Sequence, residues 1–199
     1  LATDGTTRGG ALVVAAQLLA ARLDLPLEVI SILESPASSA RAGFAVQDDD
    51  ARRHAREIAV SDYVSRFAGG ATPPRIHVRV GDVAAEIGRF ARDVSATMIM
   101  IGATPDRLLR HTESGARMVQ LLRSVPCPVL SVPSTFDSLP RVVVAAVDFG
   151  PSSVRAAQAA LLLVDRGGTL LLAHVLPEMT RPASSNASAQ TEPSSNLHA

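Results

Sequence analysis

The 199-residue chain contains no lysine, no tryptophan, one cysteine and one tyrosine. Every basic side chain other than histidine is therefore arginine, which excludes a P-loop lysine, a Schiff-base lysine and a lysine general base. A lone Cys127 cannot close an intrachain disulfide and suits a reducing compartment. Neither sign of charge is in excess, with 19 basic and 19 acidic residues. A net charge of zero gives no electrostatic basis for nucleic acid or an anionic membrane as a bulk partner. Long hydrophobic runs are missing too. The longest apolar stretches, Ala11–Ala21 and Ala156–Val164, each carry a glutamine and fall short of a bilayer span. No secretory signal pattern opens the chain. Leu1 leads at once into an Asp-Gly turn, so the first strand is expected to lack its N-terminal residues. His54, His77, His111, His174 and His198 show no ligand spacing, and no metal site is expected. No nucleophile elbow, carboxylate pair or Ser-His-Asp order is present, so no catalytic residue is nominated and no enzyme is expected.

Apolar residues make up 47% of the chain although aromatics make up only 3%. Ala, Val and Leu at that density suit buried parallel strands covered by Ala-rich helices. Leu1–Asp4 reads as the stub of a first strand, and Thr6 or Thr7 as the cap of a helix running to about Leu23. Leu27–Leu33 is a buried strand, residues 35–47 a loop, and Asp48–Asp50 the acidic start of a helix. That helix carries Val60, Tyr63, Val64 and Phe67 on one face and ends at Gly69-Gly70. Arg75–Val80 is a third strand. Asp82 caps a helix with the stripe Val83, Ile87, Phe90, Ala91 and Val94. Thr97–Ile101 is a fourth strand running into Gly102. A helix from about Ser114 turns Met118, Leu121, Leu122 and Val125 inward, and Pro128–Val132 is the fifth strand. Strands alternating with helices imply an α/β fold: a doubly wound parallel five-stranded sheet of order 3-2-1-4-5, flanked by helices.

The pattern then restarts. Val142–Val147 is a strand ended by Asp148, Phe149–Ser152 form a turn and cap, a helix carries Ala156-Ala157-Gln158, and Thr169–Leu176 is a strand. The order echoes Thr3-Asp4-Gly5, Ala15-Ala16-Gln17 and Val29–Leu33, which points to a partial β-α-β repeat. Residues 1–136 are read as one domain, 137–179 as an incomplete second copy, and 180–199 as a disordered tail too poor in large apolar residues to fold.

In a sheet of that order the carboxyl ends of the first and fourth strands form the crevice at the switch point. Asp4, Gly102, the loop 103–113 and the helix start near Gly115 surround it. Glycine at 102 permits close approach of a ligand, and the amides near Gly115 offer an anion site. Here a resemblance becomes specific. Ile99-Met100-Ile101-Gly102, a loop, Gly115, Val119–Leu122 and Val125–Val132 resemble the C-terminal half of universal stress proteins. That family's nucleotide signature is Gly, two residues, Gly, nine residues, Gly, then Ser or Thr. The register is kept at Gly102, position 105, Gly115 and position 116, but Pro105 and Ala116 replace the second glycine and the hydroxyl residue. Proline removes an N–H and alanine a hydroxyl donor. Each lost hydrogen bond to a charged oxygen costs roughly 1.5–3 kcal/mol.

The resemblance implies a cytoplasmic stress-response protein that binds an adenine nucleotide, ATP or AMP, as a regulatory ligand. By position it implies that Thr3 and Asp4 meet the adenosine, that Ile32 and Ile101 wall the base, and that Gly102, Gly115, Ala116 and Arg117 hold phosphates. Arg107, Arg110 and His111 stand nearby as substitutes for lost phosphate contacts. It also implies a homodimer, or tandem pairing within the chain, through the Pro128–Val132 strand. Other readings stay open. Asp4 and Asp148 are also ordinary turn caps, Gly102 a hinge, the Arg107–His111 loop a solvated one, and Cys127 a packed core thiol. At the level of function, a ligand-free dimerisation module and a regulatory appendage of a larger protein remain as alternatives.

Overall fold

The computed structural model describes residues 1–5, 10–34, 49–69, 73–103 and 113–176, with backbone alone at 113–117. The expected caps at Thr6 or Thr7, the loop 35–47, Pro105, the cluster Arg107–His111 and the tail 180–199 lie outside the described residues.

Three parallel ladders carry the fold. β1 (Glu28–Leu33) pairs with β2 (Arg75–Val80) from Glu28–Arg75 to Leu33–Val80. β3 (Ile99–Ala103) pairs with β4 (Val129–Pro133), and β5 (Val142–Ala146) with β6 (Thr169–Ala173). The helices are α1 (Ala11–Leu23), α2 (Asp49–Phe67), α3 (Val83–Asp93), α4 (Glu113–Ser124) and α5 (Pro151–Leu161). The α/β architecture is as expected, but the strands stand as two-stranded ladders. The opening residues contribute only bridges, parallel ones from Ala2 to Ile30 and to Ile101. Backbone hydrogen bonds run from Ala2 N to Met100 O (2.9 Å), from Thr3 N to Ile30 O (3.0 Å) and from Ile30 N to Leu1 O (2.8 Å).

β1 and the start of β3 are buried on both faces, which is why they read as unbroken apolar runs. On one face α1 packs Leu12, Ala15, Ala16 and Leu19 against Met100 and Val132. Val13, on the other side of α1, joins Val29 and the α2 residues Val60, Tyr63 and Val64. A helix apolar on nearly every side is what such double burial demands. On the opposite face Ala84, Ile87 and Ala91 of α3 meet Ile99 of β3 and Leu121 of α4. Asp82 caps α3 by accepting from Ala85 N at 2.9 Å. Gly88 allows α3 to approach α4, since a Cβ there would stand 3.1 Å from the Ser124 carbonyl.

Several elements differ from expectation at their edges. α1 starts at Ala11 behind Gly10, which offers no side-chain cap. β3 and β4 begin one or two residues late, and β6 ends at Ala173. Leu122 and Val94 point outward, 53% and 39% exposed, rather than inward. Leu122 directly follows buried Leu121, so the two sit about 100° apart on α4 and only one can face α3.

A pocket of about 290 Å³ opens beside Leu1, between Ala16 and Leu19 of α1 and Phe90 of α3 with Val94 just beyond it. The Leu1 amine donates to Glu28 O at 2.9 Å. Burial lowers its pKa to about 6, against the opposing pull of Glu28 and Cys127. Burial likewise pushes the Cys127 thiol up, although the nearby amine pulls it down, as suits a packed thiol. Beyond β4, Phe136, Leu139 and Leu163 pack against the α1 cluster and tie the β5-α5-β6 unit to the rest. Among the described residues no helix is long and apolar enough to cross a membrane.

Candidate functional site

Because Ala2 bridges both Ile30 and Ile101, the chain leaves the slot between β1 and β3 at Thr3-Asp4. Asp4 therefore emerges, exposed, at the carboxyl ends of these two strands. Ala2, Ile32 and Ile101 then pack against one cluster on the α3 side, so the two isoleucines named as walls share a face. Gly102 follows on β3, half-buried and in register with Val132. Thr3 acts within the turn: its Oγ1 accepts the Gly5 N–H at 3.1 Å.

The turn itself is tightly specified. Gly5 sits at φ +72°, and a Cβ there would meet Val60 Cγ2 at 3.3 Å. Only glycine adopts that conformation without strain. Arg56 of α2 reaches the same turn and donates from Nη1 to the Asp4 carbonyl at 2.6 Å. Sequence pattern alone does not single out Arg56, although it lies one helical turn before Val60 on the inward face of α2.

The phosphate side is placed by backbone alone. α4 begins at Glu113, two residues before Gly115. Gly115 thus lies in the first turn, where N–H groups lack an intrahelical acceptor, whereas Ala116 and Arg117 begin the second. The free amides are accordingly centred upstream of Ala116 and Arg117. Among the described residues no group of three or more His, Cys, Asp or Glu is arranged to hold a metal.

Asp148 follows β5 by two residues, much as Asp4 follows the opening bridge, but its contacts are local. Its Oδ1 accepts the Ser153 hydroxyl at 2.6 Å and the Gly150 N–H at 2.8 Å. These two hydrogen bonds, the Ser153 one foremost, hold its carboxyl below the usual range. It closes the turn before α5.

A solved structure described as "Crystal structure of universal stress protein in complex with cAMP" is similar at 22% identity and a TM-score of 0.46. The match covers 68% of this chain and 94% of that one. No curated protein sequence matches. The sequence model of the Universal stress protein family matches residues 1–133. The chain belongs to the universal stress protein family.

Proposed function

We propose that the protein binds an adenine nucleotide, ATP or AMP, as a regulatory ligand of a cytoplasmic stress response, without catalysing a reaction on it. The observation that carries this reading is the double bridge of Ala2, after which the chain reaches Asp4 at the carboxyl ends of β1 and β3. Reading Leu1–Thr3 as a central strand gives the order β2-β1-(Leu1–Thr3)-β3-β4, whose switch point is that crevice. Thr3 and Asp4 then face the adenosine and Ile32 and Ile101 the base. Gly102 and the first-turn amides at Gly115 face the phosphates. Family membership supports the reading. Residues 137–179 fit as a partial second copy.

Titration calorimetry with ATP and AMP at millimolar concentration tests it. Heat of binding, with no phosphate released on long incubation, is expected. No heat and no rise in melting temperature would overturn it. Restoring the signature with Pro105→Gly and Ala116→Ser is expected to tighten binding at least tenfold, the equivalent of one charge-assisted hydrogen bond.

A second reading draws on β4, which among the described residues pairs with β3 on one side and with no strand on the other. An open edge of this kind accepts another strand. A homodimer or tandem pairing through Pro128–Val132 follows, independent of nucleotide. Sedimentation of the ligand-free protein distinguishes the two.

A further inference from the structure

We infer that Arg56 is the positioning residue of the strand-end turn, setting Asp4 toward the ligand from α2; this rests on the adenine-nucleotide reading above. The inward stripe of α2 runs Phe67, Val64, Tyr63 and Val60 against β1 and α1. One turn earlier, where the helix passes the end of the sheet, the same stripe reaches Arg56. From Asp49 to Ala59 every residue is exposed except Arg56. Arg56 is partly buried at the solvent-exposed end of that stripe, where its guanidinium can still take an acceptor from the turn. It finds one in the Asp4 carbonyl, 2.6 Å from Nη1.

The turn is thereby held at three points. Arg56 fixes the carbonyl of Asp4, the Gly5 N–H closes on Thr3 Oγ1, and Val60 lies against Gly5. Fixing the Asp4–Gly5 peptide plane restricts the direction of the Asp4 Cα–Cβ bond, and so the region from which its carboxylate can reach an adenosine hydroxyl or amine. Ligand affinity then depends on a side chain that touches the turn and not the ligand. The contact uses one of the five donors of a planar, permanently charged group. A lysine can reach the same carbonyl as a point donor. A methionine keeps much of the stem and loses every donor.

The test compares wild type, Arg56→Met and Arg56→Lys in calorimetry with adenosine, AMP and ATP, alongside amide hydrogen exchange on the ligand-free proteins. Arg56→Met is expected to weaken all three ligands by the same factor, about tenfold, with Arg56→Lys recovering part of it. Exchange at Asp4 and Gly5 is expected to quicken in Arg56→Met while β1 and β2 stay protected. Unchanged affinity for all three overturns the inference. Loss confined to AMP and ATP also overturns it, because it shows direct phosphate contact. If the wild type binds none of the three, the nucleotide reading fails, and the exchange data still decide. Unchanged exchange at Asp4 and Gly5 overturns the positioning role, and faster exchange upholds it.

Discussion

The same local pattern, a strand ended by aspartate and followed by a left-handed residue and a helix, occurs at Asp4-Gly5 and at Asp148-Phe149. Gly5 has φ +72° and Phe149 φ +63°. What surrounds the two turns differs. In the first, α2 covers the turn through Arg56 and Val60, and strand residues such as Val29 are fully buried. In the second, Phe149 is 73% exposed against His174 at a ring distance of 4.8 Å, and Val142 and Val144 of β5 are 59% and 62% exposed. Local sequence therefore sets the turn, but only a second layer of helices makes a core of the strands. A parallel ladder covered on one face lacks most of the burial that stabilises such sheets.

The sharpest way to break this contrast is to truncate one leucine in each region. Leu19→Ala in α1, where Leu19 is 3% exposed, is expected to cost about 2–5 kcal/mol. Leu171→Ala in β6, where the side chain is 49% exposed, is expected to change stability by about 0.5 kcal/mol or less. Urea melts of both variants test this, and equal losses would show that the β5–β6 face is covered in solution.

The turns themselves come second. Gly5→Ala places a Cβ in the left-handed region and against Val60, with an expected loss of about 1–2 kcal/mol and weaker nucleotide binding. Phe149→Gly relieves the same conformation but gives up the His174 contact and adds chain entropy. Its expected change is under about 1 kcal/mol in either direction. If Gly5→Ala proved as mild as Phe149→Gly, the two turns would be equivalent after all.

Much of this was legible in the sequence because it depends on short-range pattern. The α3 stripe, the Asp82 cap, the Arg75–Val80 strand and the inward face of α2 follow from periods of 3.6 and 2. Long-range placement was less legible. Leu121 and Leu122 are adjacent and equally apolar, and only the approach of α3 through Gly88 decides between them. The opening segment reads as a strand stub but contributes only bridges, and its place between β1 and β3 comes from hydrogen bonds to two distant strands. Arg56 was missed because a charged residue early in a helix reads as solvated until its height above the sheet is known.

The absence of lysine has a further consequence for the ion pairs around α3. Arg79 meets Glu86 and Asp93, and Arg89 meets Glu86, so the cationic partner in each is a guanidinium. Lysine acylation, the modification that erases a side-chain positive charge, has no substrate among these side chains. The charge pattern on this face is therefore beyond the reach of that modification.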